Sequence, residues 1–223
     1  MKHILFWSTG KDSTATGIIA KAKGIKIDRI ICSLPDPFKQ ELILKEKFES
    51  FMHCKVELVE GPTFEDYFFR KKVRGPHKGT IYGFPMTCFK TCGRILKWEP
   101  MAKQLKGYGE FNGLIGIAKG EKRSPPSKNN RSLLLENNIT EEKARELCIK
   151  EGLLNPLYQI FARTGCVRCP KQSQKALWKM KQIEPEKYKW CLDNDYLSPV
   201  KFKPDRTFTE LHNHICKKFK DLD

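Results

Sequence analysis

The run Ser8-Thr9-Gly10-Lys11-Asp12-Ser13 puts three hydroxyls, a glycine, a lysine and a carboxylate into six positions. It follows the apolar residues 4–7 and precedes a stretch, 13–22, in which Ala15, Ile18, Ile19 and Ala22 repeat at helical spacing, so it reads as a strand-to-helix turn. The first N–H groups of a helix have no intrahelical partner, and the helix dipole adds partial positive charge, so an anion is favoured there. Gly10 lets backbone approach a ligand. The chemistry this implies is phosphate binding; the plainer reading is a strand-loop-helix joint with Ser and Asp as caps. A Walker-type loop needs glycine at position 5 and Ser or Thr directly after the lysine, whereas the chain has Leu5 and Asp12. ATPases of that type are disfavoured.

A second group of residues is soft rather than hard. The chain has nine cysteines, and residues 1–7 read as the first strand with no secretion signal expected, which points to metal binding or thiol chemistry before a disulfide scaffold. Cys88 and Cys92 stand four apart at the start of a predicted helix, and Cys166 and Cys169 form a C-x2-C turn followed by Pro170. Four thiolates suit tetrahedral zinc or an iron–sulfur cluster, and spacing does not separate the two. The plain alternative is four independent cysteines. Cys32, Cys54, Cys148, Cys191 and Cys216 lack such pairing and read as core; Cys216 lies among Leu211, Ile215 and Phe219, whose helical spacing predicts a packed terminal helix rather than a displaced nucleophile.

These residues need a frame. At 223 residues the chain suits one α/β domain with a small appendage, and its longest apolar stretches are too short to enter a membrane. The expected location is the cytoplasm. Strands are predicted at 4–7, 29–33, 56–59 and 114–118, alternating with helices at 13–22, 38–52 and 94–105, which favours a parallel, Rossmann-like sheet with helices on both faces. Ligands of such sheets collect at the carboxyl ends of the strands, where 8–13, 33–36 and 118–123 should converge. Residues 122–131, with Pro125-Pro126, read as a mobile loop. Helices are further predicted at 141–151, capped by Thr140, and at 172–183, 185–193 and 207–219. The division expected is a core over 1–160 and a cysteine-containing helical appendage over 161–223. The net charge of +16 implies attraction to polyanions, with a dense patch at Arg70-Lys71-Lys72-Val73-Arg74.

Taken as a set, the motifs resemble a known family. The loop is similar to the S-x-G-x-D-S loop of the N-type ATP pyrophosphatases, or PP-loop enzymes, with Thr9 where many members carry glycine. Cys92-Gly93-Arg94-Ile95-Leu96-Lys97-Trp98-Glu99-Pro100 looks like the C-x-x-x-L-K-x-x-P segment of the phosphoadenosine phosphosulfate (PAPS) reductase family. Gly116-Ile117-Ala118-Lys119-Gly120-Glu121-Lys122-Arg123 partly matches that family's G-I-R-x-x-E-S-x-x-R, with Ala118 in place of the arginine and Lys122 in place of the serine. Gly165-Cys166 to Cys169-Pro170 is similar to the G-C-x-x-C-P of its DNA-sulfur-modification and phage-borne members. The match runs over roughly residues 3 to 190. Two departures stand out: the C-terminal E-C-G-x-H of the reductases is absent, and Gly93 stands beside Cys92 where cluster-bearing members have a tandem Cys-Cys.

The resemblance implies an adenine nucleotide alpha hydrolase-like fold and an enzyme that binds ATP with Mg2+, or an adenylylated nucleotide. It would transfer the adenylyl group at the α-phosphate with release of pyrophosphate, coupled to sulfur transfer to nucleic acid. Ser8, Thr9, Gly10, Asp12 and Ser13 would hold the phosphates, Lys11 would neutralise developing charge and Asp12 would help place Mg2+; Lys11, Asp12 and Ser13 are the catalytic expectation. Ser33, Lys97, Lys119, Glu121 and Arg123 would frame the nucleotide or its substrate, and Cys88, Cys92, Cys166 and Cys169 would hold a 4Fe–4S cluster or, alternatively, a structural zinc. The implied partners are tRNA, DNA or a nucleic-acid-bound complex, and a sulfur-donor protein. The alternatives are a reductase of adenylyl sulfate or PAPS, and a low-activity nucleotide-binding accessory protein.

Overall fold

The computed structural model describes residues 1–89, 91–125 and 127–220. The chain divides into two compact units, Met1–Leu34 with Lys39–Glu60 and Met101–Thr164, and Pro35–Phe38 with Gly61–Pro100 and Gly165–Asp223.

The first unit is built on a parallel sheet of five strands, β1 (Lys2–Trp7), β2 (Arg29–Cys32), β3 (Val56–Leu58), β4 (Phe111–Leu114) and β5 (Asn130–Arg131), in the order β3-β2-β1-β4-β5. Helices α1 (Lys11–Ala22) and α2 (Lys39–Met52) follow β1 and β2, α5 (Glu99–Leu105) precedes β4, and α6 (Leu133–Glu136) and α7 (Glu141–Lys150) follow β5. Alternation along β1 sends Leu5 and Trp7 to one face, into a core shared with Ala15, Ile18 and Ile19 of α1 and with Leu44 and Phe48 of α2. Trp7 stacks on Phe48 with ring centroids 4.6 Å apart, and its indole N–H donates to Thr14 Oγ1 at 2.9 Å. The order reverses between β1 and β4, which is where Rossmann-like sheets open a crevice at their carboxyl ends. The fold is α/β with an all-parallel sheet flanked by helices, as the alternation predicts.

Three details differ from the sequence-based expectation. The strand predicted at 114–118 ends at Leu114, because the chain leaves the sheet where Gly116 backs onto the start of α1. Residues 130–131, at the end of the predicted mobile loop, form β5 in register with Gly113 and Leu114; Pro126 lies outside the described residues. The helix after β1 begins at Lys11, with Gly10 as its N-cap, so Lys11 and Asp12 belong to its first turn.

The second unit contains α3 (Phe64–Phe69), α4 (Thr91–Gly93), a π-helical turn (Arg94–Trp98), α8 (Gln174–Ile183), α9 (Pro185–Asn194) and α10 (Phe208–Lys218). The segment Gly61–Pro100 groups here, which the division at 160 does not provide for. Its aromatic rings explain why: Phe68 meets Phe84 and Trp190 at 5.1 and 5.0 Å, and Phe84 meets Phe202 at 5.0 Å. Such edge-to-face rings form the core of the unit. Among the described residues no helix is long and apolar enough to cross a membrane.

Candidate functional site

The turn after β1 is held by its own side chains. Ser13 Oγ accepts from the Ser8 backbone N–H at 3.0 Å, lies 3.0 Å from Ser8 Oγ and donates to Gly10 O at 3.0 Å, which curls the chain around a single hydroxyl. Thr9 adopts φ 60°, a left-handed conformation costly for a β-branched residue. Three contacts hold it there: its hydroxyl lies 2.6 Å from Ser8 O and 2.5 Å from the buried Glu41 Oε1, and its carbonyl accepts from Asn155 Nδ2 at 3.1 Å. The backbone N–H groups of Asp12 and Ser13, in the first turn of α1, have no intrahelical acceptor and form a donor edge at its positive end.

Charged groups converge on this edge. Lys11 Nζ donates to both Asp12 oxygens at 3.1 Å and to Glu141 Oε2 at 2.6 Å, and the Lys11 backbone N–H donates to the Tyr158 hydroxyl at 3.1 Å. Burial opposes the charge on Lys11, but the bonds to Glu141 and Asp12 outweigh it and raise its pKa. Asp12 is also raised, first by burial and then by the charges of Glu141 and Glu121, against the pull of Lys11. Behind the turn, the Cys148 thiol donates to Lys11 O at 3.3 Å, and burial pushes its pKa up to about 12, so it stays protonated.

The segment after β4 forms the second wall. A Cβ added to Gly116 would fall 2.4 Å from Ser13 N and 2.6 Å from Asp12 C, so only glycine allows these two backbones to meet. Glu121 caps the turn by accepting from Ala118 N at 2.9 Å, and Arg123 Nε donates to Glu121 Oε2 at 2.7 Å. Lys119 is exposed and its backbone N–H donates to Ile139 O at 2.7 Å, next to the Thr140 cap of α7 (Glu141–Lys150), the helix that supplies Glu141. Ser33 follows β2 as Ser8 follows β1, since Trp7 and Cys32 pair across the two strands.

The structure thus gathers Ser8 to Ser13, Ser33, Lys119, Glu121 and Arg123 at the carboxyl ends of β1, β2 and β4. It adds Glu41, Glu141, Asn155 and Tyr158, which come to the turn from distant parts of the chain. No spacing rule marks them. Lys97 lies in the second unit, on the π-helical turn, where its charge favours the thiolate of Cys92.

The paired cysteines all lie in that second unit. Cys92 packs with Tyr67, Tyr82, Ile95 and Leu96, and its pKa is raised by burial first and then by the neighbouring Cys169 thiol. Cys88 is exposed and Cys166 half-buried. The C-x2-C turn is stiffened by Gln172 Nε2, which donates to Cys166 O at 2.9 Å and Val167 O at 2.8 Å. Its third residue, Arg168, is buried: Nη2 and Nε lie 2.8 and 3.2 Å from the Asp36 carboxylate, and its guanidinium stacks on Phe64 and Trp190 at 4.3 and 4.9 Å. Among the described residues no group of three or more His, Cys, Asp or Glu side chains is set to hold a metal ion. Of the other cysteines, Cys32, Cys148 and Cys191 are buried as core, while Cys54 and Cys216 are half-buried, Cys216 with Lys181 Nζ 3.5 Å from its sulfur.

No family model matches the chain, and no curated protein matches it.

Proposed function

We propose that the chain is a PP-loop enzyme, adenine nucleotide alpha hydrolase-like in fold, that binds ATP or an adenylylated nucleotide and transfers the adenylyl group with release of pyrophosphate. The observation that supports this most is positional. The turn Ser8 to Ser13 and the Gly116 segment meet at the reversal between β1 and β4, with the amino end of α1 facing the crevice.

The charges favour a particular form of ligand. The charges of Glu141 and Glu121 both act on Asp12 beside the donor edge, so a bare polyphosphate would meet carboxylates as well as N–H groups. A nucleotide carrying a divalent cation does not suffer this repulsion. The hard oxygen donors suit Mg2+, which is commonly bound by one or two carboxylates plus the substrate's phosphates. Asp12 would hold it, and it would supply charge neutralisation at the phosphates. In the reaction, an acceptor oxygen attacks the α-phosphorus, the bond from that phosphorus to the bridging oxygen breaks, and pyrophosphate departs with the electron pair. The N–H groups of α1 bind departing charge, and Lys11, released from Glu141 or Asp12, shifts to the phosphates.

Cys88, Cys92, Cys166 and Cys169 are proposed as ligands of a 4Fe–4S cluster or a zinc ion, supported by the soft donor set and by the grouping of both short-spaced cysteine pairs in one unit. Such a group would supply sulfur or electron chemistry if it is a cluster, and cross-linking if it is zinc.

The direct test is titration calorimetry with ATP in the presence and absence of Mg2+, for the parent chain and for Asp12→Ala. Binding that needs Mg2+ and disappears in the variant supports the proposal. Equal affinity in both proteins, at equal folded fraction, would end it.

A further inference from the structure

Residues 70–82 form a short two-stranded ribbon in the second unit. Lys71 and Ile81 make an antiparallel bridge, and the rungs are Lys72 N to Thr80 O, Gly79 N to Lys72 O and Tyr82 N to Arg70 O, each 2.8 Å. The tip is ordered by its own bonds, with Lys78 N donating to Gly75 O at 3.1 Å and Thr80 Oγ1 to His77 O at 2.7 Å. The base is anchored: the Tyr82 ring lies 5.4 Å from Tyr67, within a cluster that includes Ile95 and Leu96, and Gly83 N donates to Phe68 O at 3.0 Å. It is a mounted projection rather than a slack loop.

Its composition is one-sided. Residues 70–80 contain Arg70, Lys71, Lys72, Arg74 and Lys78 and no Asp or Glu, against a net charge of +16 for the whole chain. Arg70, Lys71, Arg74, His77 and Lys78 are exposed. Among the described residues none of the five Lys and Arg side chains makes an ion pair, whereas Arg29, Arg123, Arg131 and Arg168 each hold a carboxylate. Like charges crowded on a narrow ribbon repel one another, so the arrangement disfavours the free state and favours a polyanion.

We infer that this ribbon is a docking element for duplex DNA, contacting phosphates on either side of a groove. A two-stranded ribbon fits the major groove of B-DNA, whereas the major groove of A-form RNA is too deep and narrow to be read that way. An anionic membrane fits less well, because Val73 is the only exposed large apolar side chain from 70 to 82 and a membrane-binding element needs an apolar face. Binding would be driven by release of counterions and would be indifferent to sequence. The inference rests on the ribbon and not on the nucleotide reading: loss of ATP binding with DNA binding intact would overturn the latter alone.

The test is fluorescence anisotropy of the full chain with a labelled DNA duplex of arbitrary sequence at several salt concentrations. The comparison is between Lys71→Gln/Arg74→Gln/Lys78→Gln and a control of equal net charge, Lys23→Gln/Lys106→Gln/Lys150→Gln. The expected result is a loss of roughly tenfold or more in affinity for the ribbon variant, and a salt slope lower by about 3, with the control near the parent. Thermal melting of each protein verifies folding, and the single variant Arg74→Gln, at the tip, should lower the slope by about 1 if the triple variant is unstable. Equal losses in ribbon variant and control, no binding of duplex DNA, or binding of duplex RNA or phosphatidylserine vesicles in its place would each overturn the inference.

Discussion

Arg168 and Asp36 form a buried ion pair closed by three hydrogen bonds. Arg168 Nη2 donates to one carboxylate oxygen at 2.8 Å, while Nε and the backbone N–H donate to the other at 3.2 and 2.8 Å. Both residues are 3% exposed. The pair fixes the C-x2-C turn through its own middle residue. Removing one partner leaves a charge in a low-dielectric interior, so Arg168→Met is expected to reduce unfolding free energy by about 3–5 kcal/mol, as measured by urea denaturation. Lys187, 3.4 Å from Asp36, tempers the loss. A change within the error of the extrapolation would show that the turn does not depend on the pair.

The same guanidinium holds Glu65, whose pKa is lowered: burial raises it, but the hydrogen bond from Arg168 prevails. A depressed carboxyl stabilises the fold above its unfolded pKa of about 4.3 and loses that contribution as pH falls through the folded value. Glu65→Gln should therefore show a shallower loss of stability than the parent below about pH 4.3. Identical acid limbs in urea titrations would contradict this.

Gly116→Ala tests the contact at the strand ends. Its methyl group would need the space held by Ser13 N, 2.4 Å away, and neither side is a flexible side chain. The expected cost is about 1–3 kcal/mol of stability. Calorimetry should also show weaker binding of Mg2+ and ATP, since the start of α1 must move. Parent-like binding would mean that the donor edge is not part of the ligand site.

Thr9 is held in its left-handed conformation by Glu41 and Asn155. Thr9→Val keeps the branch and deletes the hydroxyl beside a buried carboxyl, at an expected cost of about 1–3 kcal/mol. Thr9→Ser restores the hydroxyl and should recover most of that loss in thermal melts. If Thr9→Ser is destabilised and Thr9→Val is not, the methyl contact rather than the hydrogen bond holds the turn.

The acid limb of Mg2+-dependent ATP binding should lie above the usual aspartate value of about 3.9, because Asp12 is raised. Glu141→Gln removes one of the charges that raise it. The limb should move toward lower pH in that variant, read from calorimetric titrations between acid and neutral pH. A shift to higher pH would assign the limb to another group.

For the cysteines, anaerobically purified protein should contain iron with acid-labile sulfide, or zinc, in amounts that fall in both Cys92→Ser and Cys169→Ser. Metal content equal to the parent in the two variants would exclude these thiols as ligands.

Much of the first unit is legible in the sequence because its signals are local. Buried apolar runs, helical periodicity over 13–22 and the glycine between them are set by neighbours a few residues apart, and β1, α1, β2, α2 and β3 follow within one or two residues. The end of β4 was not legible, because Ile115 and Ile117 continue an apolar pattern while a backbone contact with α1 turns the chain away. Nor was the grouping of Gly61–Pro100, which depends on rings meeting rings far along the chain.

By itself the sequence determined a parallel α/β sheet, a donor-rich turn at the end of its first strand, two cysteine pairs and a strong positive charge. Each depends on residue type and short spacing. Tertiary structure alone decided what surrounds the turn: Glu41, Glu141 and Tyr158 reach it across 32, 130 and 147 residues. It also decided that the arginine between two cysteines is buried on an aspartate 132 residues away. The reason is that a buried polar group must find a partner wherever the fold puts one, and sequence spacing carries no record of that distance.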